Sequence, residues 1–267
     1  MKLSVQTADP AGNVTLLVRT PVSREDYRAV ASRLLAIPEL GAEQVGFLTA
    51  PERGGAVRLE MMGGEFCGNA LRCAGLYAAV CQKLRREKKL PVEISGCDHA
   101  LTVKVNPLTG QVEAEMPLPE RVVPRELFGE PGKVVVFPGI VHGISRTMRD
   151  VGEDEARRTL LELCGEYDAP AAGVMFWRFR EQAMRPAVYV KETDSLYFEN
   201  SCASGSTAVA AATALEAGKD GTFKLDLKQP GGVIRTVAAV QRGRVQSVRI
   251  GGLVTLGPVY DIEFGIG

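Results

Sequence analysis

The chain has 267 residues, 45% of them hydrophobic, enough to bury one large core or two of ordinary size. Its 32 Lys and Arg balance 32 Asp and Glu, so it lacks the basic excess that a nucleic-acid partner would draw on. No apolar run approaches the roughly 18 residues that span a bilayer, and the opening MKLSVQTADPAGN carries no apolar signal region; the expectation is a soluble, cytoplasmic protein without a membrane partner.

Strand-like runs at 3–6 and 14–19 flank the turn Asp9-Pro10-Ala11-Gly12. Ser23 then stands at the cap position of a helix over 24–35, whose apolar residues Tyr27, Val30, Ala31, Leu34 and Leu35 recur at helical spacing. After strands at 44–49 and 57–62, the stretch GGEFCGNALRCAG opens a helix that reaches about residue 84. The cations Lys83, Arg85, Arg86, Lys88 and Lys89 read as its solvated end, facing the negative pole of the helix dipole. Strands at 92–95, 101–105 and 112–116 complete this half.

Beyond a loop over 117–124 the pattern restarts, with strands at 134–137 and 141–147, a helix over 153–167, and strands at 174–180 and 187–190. FENSCASGSTAVAAA then opens a second alanine-rich helix that stops at Gly218, and strands follow at 223–227, 233–240 and 246–250. The order strand, strand, helix, strand, strand, helix, three strands is used twice, with Cys202 about half a chain length after Cys67. A last run at 259–264 is expected to cross back to the first half. The expected fold is α+β: two pseudo-symmetric lobes, each a curled, mainly antiparallel sheet around a central helix. The N-terminal lobe with Cys67 takes residues 1–117 plus 258–267, and the C-terminal lobe with Cys202 takes 118–257.

Six cysteines without a CxxC pair argue against a disulfide scaffold and against structural zinc, so no metal is expected. Four of them read as small buried hydrophobes. Cys67 and Cys202 differ, because each meets the start of a helix, where unpaired amides and the dipole favour a thiolate and also offer a carboxylate its donors. Two such thiols on opposite faces of one substrate carbon would suffice to remove and return an α-proton. The chain carries no glycine-rich phosphate cradle and no lysine in a Schiff-base context, so no cofactor is expected.

FCGNALRC around Cys67 resembles the QCGNGARC-type motif of diaminopimelate epimerases, and SCASGSTA around Cys202 resembles their ACGTGA-type motif. GNVTLLV at 12–18 looks like that family's GNDFVVV, EQVGF at 43–47 stands in the place of DQLLI, GIVHG at 139–143 in that of GNPH, and VYD at 259–261 looks like the closing VYDG. The resemblance to this superfamily of cofactor-independent amino-acid racemases and epimerases implies a two-base isomerase, commonly a homodimer. Carried over, Cys67 and Cys202 are its catalytic pair, Gly68, Asn69, Ala203 and Ser204 meet the substrate carboxylate, and Asn13 and Gln44 shape the site.

The departures bear on the substrate. Ile140 stands where GNPH has asparagine, Gly173 falls near another family asparagine, Met61 and Met62 occupy the shortened turn of a third, and the family's Glu-Arg pair becomes Glu192-Thr193. Without that arginine a second carboxylate loses its bidentate partner. Glu192 alone is suited to a basic or NH-bearing side chain, and the GGEFCGNA motif is similar to that of histidine racemases. Histidine racemisation is therefore the first expectation. Diaminopimelate epimerisation, a thiol redox protein using the same cysteines, and a ligand-binding relative without chemistry stand as alternatives.

Overall fold

In the computed structural model, which describes residues 1–264, β1 (Lys2–Asp9) turns back into β2 (Thr15–Val18) through Ala11 and Gly12, both at positive φ. The Gly12 amide donates to Asp9 Oδ1 at 2.5 Å and closes the turn. The helix expected from residue 24 starts later: Arg24–Asp26 form a single 3₁₀ turn that buries nothing, and α1 (Tyr27–Leu35) begins where there is an apolar face to pack. Ser23 is extended there and its side chain makes no capping bond. β3 (Gln44–Thr49) and β4 (Val57–Met61) lead to α2 (Gly68–Cys81). This helix ends three residues short of the expected boundary, with Lys83 in the left-handed region. Lys88 and Lys89, expected on a helix end, open β5 (Lys88–Ile94), whose Leu90, Val92, Glu93 and Ile94 are buried. β6 (Leu101–Asn106) and β7 (Gln111–Met116) follow.

A strand, β8 (Arg121–Leu127), replaces part of the expected loop and forms a hairpin with β9 (Glu130–Phe137). β10 (Ile140–Ser145), α3 (Glu153–Glu166), β11 (Ala171–Arg178), β12 (Ala183–Val190) and the short β13 (Ser195–Phe198) precede α4 (Ala203–Glu216). β14 (Gly221–Gln229), β15 (Gly232–Gln241), β16 (Arg244–Leu253) and β17 (Thr255–Glu263) complete the described chain.

Contacts divide the chain into Met1–Glu115 with Gly251–Gly267, and Met116–Ile250. The return to the first unit thus falls inside β16, at Gly251, seven residues before the expected 258, because a Cβ on Gly251 would already lie 3.3 Å from Val112 O of β7. Residues 265–267 of the expected N-terminal lobe lie outside the described residues.

The two units repeat one pairing scheme. In the first, β17 pairs antiparallel with β1, β1 with β2, β3 with β4, and β5 with β6 and β6 with β7, while β2–β3 and β4–β5 are parallel. In the second, β8–β9, β9–β10, β11–β12 and β14–β15 are antiparallel and β10–β11 and β12–β14 are parallel, with β13 added beside β12. Each helix is the crossover that a parallel step requires. Alternation along the strands gives each sheet two apolar faces: Val135 and Phe137 of β9 and Met175 and Trp177 of β11 join the core around α4, while Val134, Val136, Ala172 and Val174 join the core around α3.

The cysteine-led helices are buried on nearly every side, which accounts for their alanine and glycine content. A Cβ on Gly75 would stand 2.5 Å from Val103 Cγ1 of β6, and one on Gly205 2.1 Å from Met175 Sδ of β11. No helix is long and apolar enough to cross a membrane among the described residues.

Candidate active site

Cys67 is the N-cap of α2, with extended backbone at φ −132° and ψ 112°, and its sulfur accepts from the Ala70 amide at 3.5 Å. The loop that delivers it is held from β5. Ser95 Oγ accepts from the Met61 amide and donates to the Glu65 carbonyl, both at 2.8 Å, while Gly96 at φ +71° leaves no room for a Cβ, which would lie 2.4 Å from Phe66 N.

Behind this cap lies a buried polar network. Asn13 Oδ1 accepts from Gln44 Nε2 at 2.9 Å and from Asn69 Nδ2 at 3.2 Å, and Asn13 Nδ2 donates to Glu43 at 2.8 Å. Gln44 also donates to Thr15 Oγ1 at 2.8 Å. Arg72, fully buried, donates from Nη2 to the Pro10 carbonyl at 2.7 Å and to Asn69 Oδ1 at 2.8 Å. Three residues picked from separate segments of the sequence, Asn13, Gln44 and Asn69, are thus brought together next to Cys67. Much of their hydrogen-bonding capacity is spent on one another, which fixes the helix start rather than leaving it to find its own geometry.

Cys202 caps α4 in nearly the same conformation, φ −124° and ψ 113°, with its sulfur accepting from the Gly205 amide at 3.4 Å. Gln229 clamps it: Oε1 accepts from the Cys202 amide at 2.8 Å, Nε2 donates to Ser206 Oγ at 3.0 Å, and Ser206 Oγ donates to the Cys202 carbonyl at 2.6 Å. Ser204 Oγ lies 3.6 Å from the sulfur and 2.9 Å from Nε2 of the wholly buried His142. His142 Nδ1 has no partner, and an orphaned acceptor costs less than an orphaned donor, so Nε2 carries the proton, donates to Ser204 and leaves its hydroxyl to donate to sulfur. Gly173 makes room for the ring; a Cβ there would stand 2.4 Å from Nδ1.

The expectation that both helix starts would favour thiolates needs correction at Cys202. Burial pushes its thiol well up, and the Glu199 carboxylate, which accepts a hydrogen bond from it, pushes the same way against the smaller effects of Ser204 and the Gly205 amide. A helix end offers about 0.3–2 kcal/mol, whereas full burial of a charge can shift a group by about 3–5 pH units. Cys202 rests as a thiol facing a carboxylate. Burial also holds His142 down to about 3, so its imidazole is neutral.

Gly68 and Ala203 are the first residues of α2 and α4, followed by Asn69 and Ser204, and their amides belong to the turn that a helix leaves without internal acceptors. Glu192 lies exposed on the 3₁₀ turn Lys191–Thr193. The acid beside the second thiol is Glu199, which the sequence did not single out although it stands three residues before Cys202; Arg72 and Gln229 were missed as well. All six cysteines are free. Among the described residues, one group could hold a metal, the Cys97, Asp98 and His99 cluster on the surface turn between β5 and β6, with donor atoms within 4.8 Å of one another.

Residues 2–259 match the family described as the histidine racemase CntK N-terminal domain. A histidine racemase of Fusobacterium nucleatum is 32% identical over 75% of this chain and 77% of its own length, and one of Staphylococcus aureus is 26% identical over 85% of each. The fold is that of a predicted epimerase from Pseudomonas aeruginosa, with a TM-score of 0.67 over 99% of this chain and 100% of that one at 14% identity.

Proposed function

Since the chain belongs to the family of the histidine racemase CntK N-terminal domain, and is therefore an isomerase of the amino-acid racemase class, we propose that it interconverts L- and D-histidine with Cys67 and Cys202 as its acid/base pair and no cofactor. The observation that carries this is the duplication of one device: a thiol capping a buried 14-residue helix, with the same backbone angles within 8°.

In this reading one sulfur, as thiolate, takes the α-proton and the other, as thiol, delivers a proton to the opposite face. The electron pair left on the α-carbon spreads into the carboxylate, whose growing charge is met by first-turn amides of Gly68, Asn69, Ala203 and Ser204. After turnover the sulfurs have exchanged protonation states, so the enzyme is ready for the other enantiomer. Glu199 receives the Cys202 proton when that residue must act as base, and the Ser204 hydroxyl then donates to the sulfur. Asn13 and Gln44 hold the Cys67 helix start, and Glu192 meets the imidazole. A Glu192→Gln variant with unchanged KM for histidine removes that residue from the scheme. The enzyme acts in the cytoplasm as a homodimer, and a monomeric mass in sedimentation would strike out the last point.

The test is incubation with L-histidine in deuterium oxide. Loss of optical activity together with deuterium at the α-carbon is expected, and Cys67→Ser and Cys202→Ser should each lower the rate by about 10²-fold or more. A folded variant at full rate removes that cysteine. Exchange with another amino acid but none with histidine overturns the substrate.

A further inference from the structure

Arg72 raises a question that the carboxylate-binding amides and the cysteine pair do not answer. It stands on α2 five residues after Cys67, has no exposed surface, and bonds only to neutral acceptors, the Pro10 carbonyl and Asn69 Oδ1, both through Nη2. Its Nε and Nη1 have no acceptor, and among the described residues no carboxylate forms an ion pair with it. A buried cation without a counter-charge is costly, because taking it out of water loses several kcal/mol that only a nearby anion restores. A fold that retains one has its anion supplied by another group.

Three ionisable groups feel this guanidinium: Cys73, Cys67 and Asp9. Cys73 is buried and hydrogen-bonded to Thr15, and burial pushes its thiol up to about 12, so it is neutral. The Asp9 carboxylate serves the Gly12 amide in the β1–β2 turn and makes no ion pair with Arg72. Cys67 is left. Its sulfur sits at the positive end of the helix that carries Arg72, half-buried, with the Ala70 amide already donating to it.

We propose that Arg72 is the internal counter-ion of the Cys67 thiolate, a positioning residue that makes the first sulfur the resting base. The proposal rests on the reading of Cys67 as an acid/base group. It also gives the pair its asymmetry: Cys202 faces a carboxylate and rests protonated, whereas Cys67 has a buried guanidinium behind it and rests ionised. A two-thiol site needs one of each at the start of every turnover.

The experiment is alkylation of the intact protein with iodoacetamide across pH, with the Cys67 peptide quantified by mass spectrometry. In the wild type the Cys67 midpoint is expected below the ordinary thiol value of about 8.5. In Arg72→Met it is expected to rise by at least one unit, slowing alkylation at neutral pH by about tenfold, while the midpoint of Cys81 at the other end of α2 stays in place. A wild-type midpoint at or above the ordinary value overturns the proposal without any variant, as does a folded Arg72→Met protein with an unmoved Cys67 midpoint, or one in which Cys81 moves in parallel. Because alkylation needs no substrate, the proposal can fail while histidine racemisation stands, and can hold if histidine proves the wrong amino acid.

Discussion

At the scale of the residue, the two cysteines were legible because an N-cap is a local matter: a polar turn, a cysteine and an alanine-rich run fix the sulfur at the helix start whatever the rest of the chain does. Their unequal surroundings were not legible. Gln229, which clamps the Cys202 backbone, comes from β14, and His142, which orients Ser204, comes from β10, so no local pattern announces either. Glu199 carries a prediction. Burial first and Glu199 second keep the Cys202 thiol protonated, so replacing the acid by Gln removes the group that accepts the thiol proton while burial still opposes a bare thiolate. Glu199→Gln should lower kcat/KM for histidine by about 10²-fold or more. The fall must be equal for the two enantiomers, since a racemase has an equilibrium constant of one and its two kcat/KM values are tied together. Polarimetric initial rates from each enantiomer check both points, and an unchanged rate in folded protein would remove Glu199 from proton transfer.

Elements were readable where burial imposes a period and unreadable where it does not. The buried strands and all four helices follow their apolar patterns, while β8 is largely exposed and contains Pro124, and β13 has no buried residue, so neither carries a signal. The boundary error at α2 has the same root, because Lys88 and Lys89 look alike on a helix end or at the exposed start of a strand. Register matters as much as existence. β10 and β11 pair so that His142 lies opposite Gly173, and the imidazole takes the space a side chain would fill. Gly173→Ala puts a methyl 2.4 Å from the ring nitrogen and 2.9 Å from Met175 Cε, in a place with no surface to yield into. Overpacking of about 1–3 kcal/mol is expected, with the His142–Ser204 bond lost. In a double-mutant cycle by thermal denaturation, Gly173→Ala should cost less in a His142→Ala background; equal costs in both backgrounds would show that the ring is not what the methyl meets.

Across the whole molecule, the two units share a scheme but answer acid differently. In the second unit, burial holds His142 down to about 3 against an ordinary 6.5. The unfolded chain takes up that proton near 6.5 and the folded chain does not, so this unit's stability is fully present above 6.5 and declines as the pH falls toward 3. The slope is about 1.4 kcal/mol per pH unit, on the order of 5 kcal/mol in all. In the first unit the leading titration is that of Glu93. Burial raises it, but the amides of Glu52, Gly55 and Arg53, with the Arg58 side chain, outweigh burial and bring it to about 2 from 4.5. Its contribution is intact above 4.5 and is lost only as the pH drops toward 2. The second unit should therefore give way first. Trp177, the single tryptophan, is 1% exposed in the core around α4 and reports on that unit alone. On acid titration its emission should shift at a higher pH than the loss of far-ultraviolet ellipticity, to which both units contribute. His142→Asn, which cannot titrate, should move the emission transition to lower pH and leave the remainder of the ellipticity transition where it was. Coincident transitions in the wild type would mean that the units lose their structure together, and an emission midpoint indifferent to the substitution would mean that the buried imidazole is not the group that acid reaches first.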